Sequence, residues 1–199
     1  MLKILEPYIL SFIPIFVAVD ALGNIPIFVS LVEGNTKKQR DKIIVDSVTT
    51  ATVVAILFMF VGKWVLNMLG ITISDFQIAG GLLLFVIAVR LLLPGMQKSI
   101  LSDPHDKDVG VFPLGTPLIT GPAVLTTTLM MLDSFGLTVT FVSLLINMLI
   151  VWLTLVKADS IMRIMGASGT RAFAKIMYIL LAAIAVMMVR RGIIGIFLK

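Results

Sequence analysis

The chain has 199 residues, 59% of them hydrophobic and only 14% charged, with a mean hydropathy of +1.10. Soluble domains carry about 25% charged residues, so this composition excludes an ordinary soluble domain and defines a polytopic membrane protein with little extramembrane mass. The net charge of +5 would suggest nucleic acid in a soluble protein, but basic residues in short loops set topology here, and the absence of cysteine removes disulfides, thiolate catalysis and thiolate metal sites together.

About 20 apolar residues span the hydrocarbon core, and on that ruler six segments follow one another. The first, 4–32, opens on "MLKILEPYIL", which lacks a small-residue cleavage site and reads as a helix rather than a signal peptide. "EGNTKKQRDK" separates it from 43–69, and a turn over Gly70–Ser74 leads into 74–94. The hydrophilic stretch "PGMQKSILSDPHDKDVG" precedes 111–134. "DSFG" then leads into 137–158, and "KADSIMRIMGASGTR" into 172–197. Six crossings put both termini on one side. Eleven Lys and Arg residues fall on the opposite side and five on the terminal side, which places both termini outside the cell membrane.

In the hydrophilic stretch, His105 sits among Asp103, Asp106 and Asp108. This reads as a solvated loop rather than a metal site or pH sensor. No dinucleotide or Walker-type glycine loop, zinc-ligand pattern or nucleophile elbow occurs. Neither cofactor nor metal is expected, and the lipid bilayer, not nucleic acid, is the evident partner.

The first segment contains "AVDALGNIPIFV" (18–29), with Asp20, Gly23, Asn24 and Pro26 about midway along it. Such breakers are tolerated at membrane depth only where protein or a water-filled cavity satisfies the backbone. The fourth segment contains "GTPLITGPAV" (115–124). A shift of 96 positions carries Pro26 onto Pro122, Asn24 onto Thr120, Asp20 onto Thr116 and Ala21 onto Pro117. It also carries Gly70 onto Gly166 and maps 43–69 and 74–94 onto the last two segments. The chain therefore reads as a single all-α transmembrane domain of two three-helix repeats, 1–96 and 97–199, the second including a cytoplasmic linker at 95–110. An odd number of crossings per repeat inverts the second copy, and helices one and four are broken near mid-membrane. Inverted repeats with matched broken helices are a common build of secondary transporters.

Asn24 and Thr120 each stand two residues before a proline, and both are good N-cap types. Each is expected to start a half-helix, accepting the amide of Ile27 or Ala123 and turning a partly positive helix end toward an anionic group. Asp20 should end the preceding half-helix among freed carbonyls. A membrane-buried aspartate costs roughly 2.5–3.5 kcal/mol on insertion scales and marks a functional position. These parts suit a small zwitterion, with donors for its carboxylate and Asp20 for its ammonium. The expected substrate-binding set is Asp20, Gly23, Asn24, Pro26, Thr116, Pro117, Thr120, Gly121 and Pro122, with Asp20 also the candidate carrier of a coupling proton. The bland reading of either break alone is a structural kink. Thr126, Thr127 and Thr128 line a pathway or satisfy carbonyls within their own helix. Asn147 lines a pathway or bonds between helices, and Gly80 and Gly81 allow close helix packing.

At "DALGNIPIF", "TPLITGPAVLTT" and "DFQIAGGLLLF" (75–85) the chain resembles the MarC family of six-helix membrane proteins, also known as the small neutral amino-acid transporter group. The resemblance covers essentially the entire chain. Family members commonly have proline directly after the first aspartate, where this chain has Ala21. The resemblance implies transport of small neutral amino acids such as alanine or glycine. The leading expectation is an alternating-access transporter of such substrates and not an enzyme. Export of other small molecules is an alternative. An intramembrane hydrolase is the rival from another class, but an aspartyl enzyme needs two carboxylates in one site, and position 116, the counterpart of Asp20, is threonine.

Overall fold

The structure is a computed structural model describing residues 2–32, 34–93 and 109–197, and all regular structure among these is helical. Seven elements follow in order: α1 (Leu2–Val19), α2 (Asn24–Leu31), α3 (Lys37–Met68), α4 (Ile73–Leu92), α5 (Gly110–Ile119), α6 (Pro122–Val156) and α7 (Ala158–Phe197). Four helical stretches are long and apolar enough to cross a membrane: α3, α4, α6 and Ala172–Phe197 of α7. Leu5–Val19 and Asn24–Leu31 form a fifth candidate, a pair bent by 41°. The linker at 95–110, with His105 and its neighbouring aspartates, lies almost wholly outside the described residues.

Local chemistry sets several boundaries. α3 begins at Lys37, earlier than the expected 43, because Thr36 and Gln39 close a capping box: the Thr36 amide donates to Gln39 Oε1 at 2.8 Å and the Gln39 amide to Thr36 Oγ1 at 3.4 Å. Thr72 and Asp75 do the same for α4. Between the two, the Gly70 amide donates to Asn67 O and that of Ile71 to Leu66 O, the paired bonds of a Schellman ending, as the turn at Gly70–Ser74 required. The expected separation of 111–134 from 137–158 appears as an interruption within α6. Gly136 holds φ 80°, ψ 175°, a conformation closed to residues with a Cβ. Asp133 then pairs with Lys63 near the end of α3, while Asp159, just beyond α6, pairs with Arg40 at the start of α3. The two arms of α6 thus run in opposite directions.

The expected turn around Gly166 does not form. α7 is helical from Ala158 onward, because the segment holds no proline and a glycine in a helix interior costs only about 1 kcal/mol.

Side chains sort as a bilayer demands. Leu57, Phe60 and Trp64 on α3, Leu82 on α4 and Ile179 and Val186 on α7 point outward, exposed. Small and polar groups go inside: Ser11, Ser47, Thr128, Thr140, Ser143 and Asn147 are all buried. Asn147 Nδ2 donates to Phe12 O at 3.3 Å and to Ser143 O at 2.9 Å, and Ser143 Oγ donates to Tyr8 O at 3.3 Å, fastening α1 alongside the second arm of α6. Asn147 is therefore an interhelical donor. Thr126 and Thr128 donate to the carbonyls of Pro122 and Val124 within their own helix. Gly80 and Gly81 allow close packing, Gly80 against the Pro122 ring and Gly81 against the Ala185 carbonyl and Met188.

Candidate functional site

The two breaks meet. Asp20, Gly23 and Asn24 from the first, and Pro117, Leu118, Gly121, Ala123 and Val124 from the second, line one cavity of about 30 Å³, closed further by Leu84 of α4 and Met177, Leu181 and Ile184 of α7. That volume admits about two waters.

At the first break α1 stops at Val19, and Asp20 takes a left-handed φ of 47°, tolerated by Asp better than by most residues. Its Oδ1 accepts the Gly23 amide at 3.2 Å. The carboxylate lies so close over Gly23 that a Cβ there would overlap it. The backbone closes the rest of the turn: the Asn24 amide donates to Asp20 O at 3.1 Å and that of Ile25 to Leu22 O at 3.2 Å. This end of α2 therefore has its leading amides occupied. Asn24 is not the expected N-cap. Gly23 holds that position, and Asn24 Nδ2 reaches back to Val19 O at 3.0 Å, satisfying a carbonyl left open where α1 ends.

The second break is built differently. α5 is a wide π-type coil whose backbone leaves helical values at Phe112 and Thr116. The bonds Phe112–Pro113 and Thr116–Pro117 are cis. Thr120 ends α5, its amide donating to Gly115 O at 3.0 Å, and Gly121 is the N-cap of α6 without any side-chain bond. The expectation that Thr120 caps α6 therefore fails too; its Oγ1 is buried with no partner among the described residues. Pro122 occupies the first turn and has no amide to offer. Leu125 donates to Gly121 O, and among the described residues no acceptor takes the amides of Ala123 or Val124; both residues line the cavity.

Of the nine residues expected to bind substrate, Asp20, Gly23, Asn24, Pro117 and Gly121 line the cavity. Pro26 is buried within α2, and Pro122 packs on Gly80. Thr120 adjoins the cavity without lining it, and the Thr116 hydroxyl turns to Val111 O at 3.4 Å. The walls from α4 and α7 were not foreseeable, since Leu84, Met177, Leu181 and Ile184 look in sequence like any membrane-helix residues.

Two larger cavities flank this one. The first, about 330 Å³, shares Ala18, Ala123 and Ile184 with it and extends past Gln77, Thr126 and Thr127 to Met130 and Arg191. The second, about 240 Å³, lies at the opposite end around Asn35, Lys37, Arg40 and Asp159. There Arg40 Nη1 donates to Asp159 Oδ1 at 2.9 Å and Oδ2 at 3.0 Å.

An all-helical bundle with four to five membrane-length spans and a polar break site inside is an integral membrane protein. The chain belongs to the MarC family of integral membrane proteins, whose model matches residues 5–197. It is 36% identical to a UPF0056 membrane protein of Methanocaldococcus jannaschii over 98% of this chain and 90% of that one. It is 30% identical to the UPF0056 inner membrane protein YhgN of Escherichia coli K12, over 87% of this chain and 89% of that one. A UPF0056 membrane protein of Archaeoglobus fulgidus is 32% identical over 92% and 90%. No solved structure matches the chain.

Proposed function

We propose that this protein is a secondary transporter that moves small neutral amino acids of the alanine or glycine type across the cell membrane by alternating access. The observation that carries this reading is the pairing of opposite polarities in one cavity. The first break contributes a carboxylate, Asp20, and the second contributes the unpaired amides of Ala123 and Val124. Asp20 receives the ammonium group and the helix end receives the carboxylate. Asp20 is the one carboxylate among the cavity-lining residues, which favours transport over carboxylate-pair hydrolysis. In this reading Asp20 also carries the coupling proton.

Six crossings in two inverted repeats provide the frame. The packing partners support it: α1 lies against the second arm of α6 as α5 lies against α3, and α4 pairs with α7. Exchanging the repeats leaves that pattern unchanged. A shift of 96 carries Lys63 onto Asp159 and Lys37 onto Asp133, so the Lys63–Asp133 tie maps onto Asp159 and Lys37, one turn from the Arg40 that Asp159 meets. One tie, Arg40–Asp159, stands at one end of the bundle, and the other, Lys63–Asp133, at the opposite end. A central cavity too small for an amino acid, with a larger cavity at each end, fits a carrier whose two halves rock about the breaks. The termini and the Lys63–Asp133 tie face outward in this reading, with Arg40–Asp159 on the cytoplasmic side.

The test is uptake of labelled alanine, glycine and serine into proteoliposomes, with and without an imposed pH or sodium gradient. Accumulation of at least one of them, abolished by Asp20→Asn, is expected. Liposomes with protein that take up no more than empty ones under every gradient would remove the reading.

A further inference from the structure

We propose that the 330 Å³ cavity is a recruitment site for substrates bearing a free carboxylate, with Arg191 as the group that captures it. This rests on the transport reading above and adds where the substrate is first held and by which atom.

The central cavity, at about 30 Å³, cannot receive an amino acid as it stands, whereas its neighbour has about 330 Å³ and shares the walls Ala18, Ala123 and Ile184 with it. A molecule in the larger cavity is therefore next to the break site, since the two cavities share those residues. Charge within it is one-sided. Among the described residues Arg191 is its only charged lining residue, and Gln77, Thr126 and Thr127 are the polar ones. Among the described residues Arg191 has neither an ion-pair nor a hydrogen-bond partner. Asp133 pairs with Lys63, and Asp75 accepts from the Thr72 amide and hydroxyl. Arg191 is exposed near the end of α7, where a long cationic side chain can reach both the cavity and the aqueous boundary. Here the pairing capacity of a planar, five-donor guanidinium is left for something that enters, and its fork matches a carboxylate.

Spacing then orders the path. Ile184 and Arg191 stand seven residues apart on α7, two turns or roughly 10 Å. Arg191 thus stands at the far end of the larger cavity from Ile184, which both cavities share, and in this proposal capture precedes transfer. At the second position the amides of Ala123 and Val124 take over the carboxylate, and Asp20 meets the ammonium. Met130 and Met187 supply a pliable apolar wall that suits small side chains without selecting among them.

The test uses the full chain in nanodiscs and in proteoliposomes, with L-alanine, propionate and L-alaninamide as probes. Alanine and propionate share the carboxylate, and alaninamide lacks it. In the parent protein, alanine and propionate should raise the thermal unfolding midpoint and alaninamide should not. Arg191→Gln should lose both shifts, and Arg191→Lys should keep part of them. For alanine uptake, Arg191→Gln should raise KM about tenfold, the size of one charge-assisted hydrogen bond, with kcat little changed. A parent stabilised equally by alaninamide, or by neither carboxylate, overturns the inference. So does Arg191→Gln with unaltered KM and unaltered midpoint shifts. A parent that binds propionate through Arg191 yet carries no amino acid would sink the transport reading and leave this site standing.

Discussion

Replacing Gly23 with alanine isolates the contact that holds Asp20 in place. The backbone at Gly23 is ordinary, φ −65° and ψ −26°, so alanine fits its dihedral angles. The obstacle is the side chain above it. A Cβ would lie 2.7 Å from Asp20 Cγ and 2.9 Å from Oδ1, well inside the roughly 3.5–4.0 Å at which carbon atoms rest. Asp20 must swing away and give up the 3.2 Å bond from the Gly23 amide. A hydrogen bond to a charged group contributes about 1.5–3 kcal/mol, and removing glycine's backbone freedom returns about 0.4–1 kcal/mol. The expected net cost is therefore about 1–2 kcal/mol. With Asp20→Ala already in place nothing overhangs position 23, and the same Gly23→Ala change should stabilise by about 0.4–1 kcal/mol. A double-mutant cycle followed by helical circular dichroism during denaturant titration in micelles reads the difference. If Gly23→Ala costs the same in both backgrounds, the carboxylate does not lean on Gly23 and the geometry of the first break is wrong.

Asp20→Asn keeps an oxygen to accept the Gly23 amide, so it should fold and melt like the parent while losing gradient-driven uptake; an unchanged rate and pH dependence would reduce Asp20 to a structural residue. Thr120→Val removes a buried hydroxyl that has no partner among the described residues, so stability should hold or rise, by up to about 2 kcal/mol. A drop beyond 1 kcal/mol in the same titration would mean that the hydroxyl has a partner after all. Gly80→Ala drives a methyl group into the Pro122 ring and should destabilise by about 1–3 kcal/mol; a wild-type midpoint would show that α4 and α6 do not touch there. Single cysteines placed in this cysteine-free chain should react with an impermeant thiol reagent from outside at Asp133 and not at Lys38, and the reverse pattern would invert the topology.

What the sequence determined by itself was most of the local structure along the chain. Its apolar runs dictate helices in a bilayer, because no other backbone conformation satisfies its own polar groups there, and Pro26, Gly23 and Pro122 mark where that regularity ends. The Thr36 and Thr72 boxes and the Gly70 ending are likewise written within a few residues each. The roles of Asn24 and Thr120 were not legible, although both are good capping types. A cap is decided by which residue's φ and ψ stand just outside the helix, and the turns gave those positions to Gly23 and Gly121. Gly166 misled for a related reason: a glycine ends a helix only when the following chain has somewhere else to go. The offset of 96 led the sequence to join the two breaks in one site, and the tertiary structure closed them on a single cavity. It alone supplied the α4 and α7 walls and left Arg191 beside an open volume. Such placements depend on which helix faces pack together, and in a bilayer nearly every face is apolar, so the hydrophobic pattern that orients helices in a soluble protein carries little of that information.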